Sequence, residues 1–186
     1  MALTAIWGPM FSFKTSEMLR RLRVAKIAGK RIVCLKHTVD NRFSETRVTT
    51  HDGVDIQAVA VTDPSRLDEL AGDADVIGID EFAPFFGEPA VAPVMRLLEA
   101  GRDVIANGLA LDSDGKPFSE MLSLIAMADT CVFLRAVCGV CKAQDAATKT
   151  VSVTAKQGRI HIGGTEAYIA LCPSCWWARH GSMTDE

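Results

Sequence analysis

Apolar residues in this chain come in two rhythms. Short continuous apolar runs at residues 2–7, 31–36, 56–61, 76–81, 103–107 and 130–136 predict strands, and their unbroken character predicts strands covered on both faces. Between them, apolar residues return with helical spacing. Residues 15–29 predict a helix with Met18, Leu19, Leu22 and Ala25 on one face, Lys26 in its last turn and Gly29 as its stop. A short helix through Leu70 opens at Thr62-Asp63-Pro64-Ser65, where a cap candidate is followed by an early proline. Further helices are expected at residues 88–100, where Pro89 and Pro93 constrain the first turn, and at residues 118–128. Residues 37–53 are polar and aperiodic and predict a long loop. Strands alternating with helices predict an α/β protein with a parallel sheet and helices on both faces. The pattern changes at Cys138, where short polar segments lie between two cysteine pairs. A boundary near Val137 therefore divides an α/β domain, residues 1–137, from a small metal-binding domain and tail, residues 138–186.

Composition narrows the class. A chain of 186 residues with 48% hydrophobic and 23% charged residues is globular rather than disordered. Its net charge of -3 argues against a nucleic-acid partner held by bulk basicity. No apolar run reaches membrane-spanning length and no secretory leader is evident, so no membrane partner and a cytoplasmic location are expected.

Three constellations carry chemistry. Gly8-Pro9-Met10-Phe11-Ser12-Phe13-Lys14-Thr15 lies between the first strand and the first helix, the layout of a P-loop. Backbone N–H groups of such a loop cradle phosphates at a helix N-terminus, the lysine adds a point charge, and the threonine hydroxyl suits Mg2+. Phe13 stands where the pattern calls for glycine. If φ there is positive, a side chain costs about 1–2 kcal/mol; if negative, the penalty vanishes. Asp80 ends a separate apolar strand, as a Mg2+-positioning carboxylate must. The plain alternative is an ordinary strand-to-helix turn with Asp80 as a cap, and the conjunction favours the phosphate site. Glu81 beside it can take a proton from a hydroxyl nucleophile, or be a solvated loop residue. Phe85 and Phe86 can stack a planar ring or belong to the core. The third constellation is Cys138-x-x-Cys141 and Cys172-x-x-Cys175, a spacing that predicts a closed, structural Zn2+ site. Cys34 and Cys131 sit in apolar runs and are expected in the core. Gly163-Gly164 predicts a turn between two strand-like runs, and His161 lacks a metal-ligand partner.

In this order, Gly-Pro-Met-Phe-Ser-x-Lys-Thr, Asp-Glu at a strand end, Cys-x-x-Cys, Ile-Gly-Gly with a following Tyr, and Cys-x-x-Cys, the chain resembles the type II thymidine kinases over residues 3–177. The resemblance implies a RecA-like P-loop domain with a zinc-held lasso loop. It also implies a homo-oligomer, usually a tetramer, and ATP- and Mg2+-dependent phosphorylation of the 5′-hydroxyl of thymidine or deoxyuridine. Carried onto this sequence, Gly8, Pro9, Met10, Phe11, Ser12, Phe13, Lys14 and Thr15 would hold ATP, and Thr15 and Asp80 the Mg2+. Glu81 resembles the general base. Asp40 and Arg42 match an Asp-x-Arg that approaches the reacting groups, and Leu109 and Phe118 match base-pocket positions. Thr148, Gly163 and Tyr168 match positions that grip the base largely through the main chain.

Three positions depart from that pattern. Phe13 replaces the loop glycine, Phe82-Ala83-Pro84 replaces a small residue, glutamine and aromatic, and Ser113 replaces a pocket aromatic. Base stacking then falls to Phe85 or a rearranged pocket. A deoxynucleoside kinase is the leading reading. A non-catalytic or weakly active homologue that binds nucleoside or nucleotide is the alternative motivated by Phe13. A P-loop ATPase acting on nucleic acid is disfavoured by the lack of a basic face.

Overall fold

The structure is a computed structural model that describes residues 1–39, 47–49, 55–154, 158–160 and 162–180. Its centre is a seven-stranded sheet formed by β1 (Leu3–Trp7), β2 (Ile32–His37), β3 (Arg47–Thr49), β4 (Asp55–Val61), β5 (Val76–Asp80), β6 (Asp103–Gly108) and β7 (Thr130–Phe133). The spatial order is β3-β4-β2-β5-β6-β1-β7, and every neighbouring pair is parallel except β3 with β4. The helices are α1 (Lys14–Ile27), α2 (Leu67–Leu70), α3 (Val91–Glu99), α4 (Ser119–Met127) and α5 (Pro173–His180). No helix among the described residues is long and apolar enough to cross a membrane.

Strand alternation sorts the core into two layers. Ile6, Cys34, Val76 and Ile105 face α1 and pack on Met18, Leu19 and Leu22. Ala5, Leu35, Ile77, Ile79 and Val104 face the other way, onto Val94 and Leu97 of α3 and Met121 and Leu124 of α4. An α/β fold covered on both faces is what the unbroken apolar runs predict. The same alternation fixes the active end: Asp80 and Lys36 lie on the α1 face, two residues beyond Gly78 and Cys34, with which they share register.

Two elements differ from the sequence reading. The aperiodic stretch contains β3, whose Val48 pairs antiparallel with Ile56; three residues are too few to show a period. The last predicted strand stops at Phe133 and is a sheet edge, flanked only by β1, so Cys131 is exposed rather than in the core. Beyond it, β8 (Lys149–Ser152) and β9 (Tyr168–Leu171) form an antiparallel pair. With α5 they enclose their own apolar cluster of Ala136, Ala147, Val151, Leu171 and Trp176. The expected strand before Gly163 is absent among the described residues, and Gly164 instead closes a turn onto the amides of Ala167 and Tyr168. His161 lies outside the described residues.

Candidate active site and metal centre

The chain leaves β1 into the glycine-led loop under close constraint. A Cβ on Gly8, at φ 155°, would lie 2.2 Å from the Leu134 carbonyl oxygen, so only glycine lets the loop start against β7. The Ser12 hydroxyl and the Lys14 ammonium both donate to the Pro9 carbonyl, at 2.8 and 2.7 Å, which curls the loop. The Met10 N–H donates to Thr150 Oγ1 at 2.9 Å, and Phe11 packs on the C-terminal cluster. Phe11 and Phe13 both have positive φ, 65° and 61°. The condition left open by the sequence is therefore met in its costly form, about 1–2 kcal/mol at Phe13. Its ring is 67% exposed and lines a groove of about 530 Å3 with Ser16, Arg20, Phe133 and Arg135.

Helix α1 begins at Lys14, so its N-terminal N–H groups and Lys14 lie together at the loop. In its first turn the Glu17 carboxylate accepts from Arg20 and Arg21. The hydrogen bond to Arg20, outweighing the opposing effect of burial, lowers the Glu17 pKa to about 2.

Facing the loop is the end of β5. Asp80 Oδ1 accepts the Thr15 hydroxyl at 2.9 Å and the Asn107 amide at 2.7 Å. Asn107 is fully buried; its Nδ2 also lies 3.4 Å from Met18 Sδ, and its Oδ1 accepts the Glu81 N–H at 3.2 Å. Glu81 itself turns left-handed, with φ 51° and ψ 48°, so the chain departs sharply from the sheet at this residue. The sheet register sets buried Lys36 beside Asp80. Burial pushes the Cys34 thiol up, and the nearby Asp80 charge adds to it. Thr15 and Asp80 are thus in hydrogen-bond contact, and Glu81 follows Asp80 directly at the strand end. Asn107 and Lys36 were missed; each is a polar residue near the end of an apolar run, which was the available signal.

The residues expected to meet the base fall into two groups. Phe85 and Leu109 pack on the core cluster that contains Phe118. A Cβ on Gly108 would lie 2.8 Å from the Ala83 nitrogen, so glycine permits the close approach that lets Leu109 N–H donate to Ala83 O at 3.0 Å. The Ala83–Pro84 peptide is cis. His37 stacks on Phe85 and meets Phe86 edge to face, and burial lowers its pKa. Phe118 is buried, and the Arg159 guanidinium covers its ring at 4.6 Å. Ser113, one of the departures, is buried in the same loop. In the second group, Thr148 N–H donates to Leu171 O, and Tyr168 is buried at the start of β9, with Gly163 beneath its ring. Arg159 joins the two loops by donating to Asp112 at 2.8 Å and to Pro117 O. Burial raises the Asp112 pKa, but Arg159 and the Lys116 and Asp114 amides outweigh it and hold the carboxyl low. Asp40 and Arg42 lie outside the described residues.

The four paired cysteines converge, with all sulfurs within 4.8 Å of one another. Cys141 and Cys172 sulfurs are 3.8 Å apart. Zn–S bonds of about 2.3 Å in a tetrahedron require sulfur separations of about 3.8 Å, so the spacing fits Zn2+. Burial would raise the Cys138 thiol, but the amides of Cys172, Cys141 and Val140 outweigh it and bring it to about 6. Cys175 is pushed up to about 12, first by its hydrogen bond to Cys172 and then by burial. Four sulfurs this close do not all ionise without a cation among them.

A largely parallel sheet, a glycine-led loop opening α1 and a carboxylate strand end opposite it define a P-loop α/β enzyme, here carrying a four-cysteine centre. Comparison with known proteins gives the finer class. The thymidine kinase family profile matches residues 1–176. The chain is 42% identical over 177 residues to a thymidine kinase of Coprothermobacter proteolyticus, covering 91% of this chain and 87% of that protein. It is 37% identical over 174 residues to one of Rhodothermus sp., covering 94% and 80%. The chain belongs to the thymidine kinase family, and it is a kinase.

Proposed function

We propose that the protein transfers the γ-phosphoryl group of ATP to the 5′-hydroxyl of thymidine or a related pyrimidine deoxynucleoside. The observation that carries this reading is the convergence of Thr15, Asp80 and Glu81 opposite the Gly8–Lys14 turn. The loop amides and Lys14 hold the phosphates of ATP. Thr15 and Asp80, oxygen donors 2.9 Å apart, suit Mg2+, which when bound neutralises charge on the phosphate oxygens. Glu81 takes the proton of the 5′-hydroxyl as that oxygen bonds to the γ-phosphorus; the bond to the bridging oxygen breaks, and ADP leaves with the electron pair. Leu109, Phe118, Phe85, Thr148, Gly163 and Tyr168 enclose the base. The cysteine tetrad holds structural Zn2+ and pins the lasso segment. A tetramer is the expected assembly.

The test is transfer of labelled phosphate from ATP to thymidine, deoxyuridine and deoxycytidine with Mg2+. Thymidine is expected to be the best acceptor, and Glu81→Gln is expected to lower kcat by about 10²–10⁴-fold with a small change in KM. No transfer to any pyrimidine nucleoside by the wild-type protein would overturn the proposal.

A further inference from the structure

Asn107 is a fully buried amide at the end of β6, on the face where apolar strand residues pack on α1 and where the buried side chains of Asp80 and Lys36 also lie. An apolar side chain would fill the same space, so its polar atoms call for a reason. All of them are engaged. One amide nitrogen serves both Asp80 Oδ1, at 2.7 Å, and Met18 Sδ, at 3.4 Å, while Oδ1 accepts the Glu81 N–H at 3.2 Å. These partners fix the orientation of the amide. Turned over, it would set its oxygen against a carboxylate and its N–H groups against a backbone N–H.

That single planar group therefore touches both halves of the proposed chemistry. On one side it shares Asp80 Oδ1 with the Thr15 hydroxyl, fixing the rotamer of the carboxylate that faces the phosphate loop. On the other it holds the peptide of Glu81, which is left-handed although not glycine. Such a conformation persists only where its surroundings enforce it. We infer that Asn107 is a positioning residue that locks Asp80 and the Glu81 backbone into one geometry, coupling Mg2+ binding to placement of the base. The inference deepens the kinase reading and rests on it for the roles of Asp80 and Glu81.

Two variants separate positioning from packing. Asn107→Leu keeps the shape and removes every polar atom. Asn107→Asp keeps an acceptor for Glu81 N–H but sets a carboxyl against Asp80. For each, calorimetry measures how much Mg2+ tightens ADP binding relative to EDTA, and kinetics gives kcat and KM. In Asn107→Leu, the Mg2+ enhancement is expected to shrink at least tenfold and kcat to fall about 100-fold, with thymidine KM within about threefold. In Asn107→Asp, which keeps the acceptor for Glu81 N–H but removes the donor to Asp80, kcat is expected to fall about tenfold with thymidine KM within about threefold. A purely structural role would lower the melting temperature while leaving the enhancement and kcat unmoved. Enhancement and kcat within threefold of wild type in folded Asn107→Leu would overturn the inference. Should that variant not fold, kcat within threefold of wild type in Asn107→Asp overturns it alone. A wild-type protein that binds Mg2+ and ADP together but transfers no phosphate would sink the kinase reading, while the binding arm still decides the role of Asn107. Absence of any Mg2+ enhancement in the wild type would overturn the inference as well.

Discussion

Phe13 shows how much one side chain can hide in a sequence. Its departure from glycine was plain, but its consequence hung on a dihedral angle that no residue type dictates. With φ at 61° and the ring 67% exposed, the substitution strains the backbone without gaining burial. Phe13→Gly is therefore expected to stabilise the fold by roughly 0.5–1 kcal/mol, the relief of strain being partly offset by the greater freedom of an unfolded glycine. Urea midpoints of the two proteins measure this, and kcat is expected to change only a few-fold. Asn107 hid for the opposite reason: nothing about it departed from a pattern. Asparagine at the end of an apolar run looks like the start of a turn, and only the folded sheet sets it between Asp80 and the peptide of Glu81. Thr15, Asp80 and Glu81 were legible because each sits where a strand or helix must end, and chain ends are what periodicity locates best.

Among the elements, α1 was the clearest in sequence and β3 the least. A helix of fourteen residues repeats its apolar face several times, whereas three residues of strand repeat nothing. The edge position of β7 was equally hidden, because strand order is a property of the sheet and not of the strand. Helix α1 also carries a testable electrostatic feature. Glu17, paired with Arg20 and Arg21 in the first turn, has its pKa lowered from 4.5 to about 2. A depressed carboxylate contributes stability that is complete above its unfolded pKa, near 4.5, and is lost as pH falls through the folded value. Glu17→Gln is expected to cost about 1 kcal/mol at pH 7, less than the shift alone implies because Arg20 faces solvent. Denaturation curves at pH 7, 4 and 2.5 should show the gap between variant and wild type shrinking as acid is added.

For the whole molecule, the sheet covered on both faces was legible in the unbroken apolar runs and the cysteine cluster in its paired spacing, but the contacts between the first loop and the C-terminal cluster were not. The Met10–Thr150 hydrogen bond and the packing of Phe11 join residues far apart in sequence. Stripping the metal with a mercurial and a chelator is expected to release one Zn2+ per chain. It should also weaken ADP binding roughly fivefold, the equivalent of about 1 kcal/mol for the loop's lost hydrogen bond. Metal analysis beside calorimetry checks both. The same contact orders events in time. The glycine-led loop leaves the ribosome before its clasp on Thr150, which lies 140 residues later in the chain. At 5–20 residues per second, translation delivers that partner on the order of ten seconds after the loop itself. The glycine-led loop is made well before the partner that fastens it, and a nascent chain halted before Thr150 would carry all seven strands of the sheet with the loop still lacking that clasp.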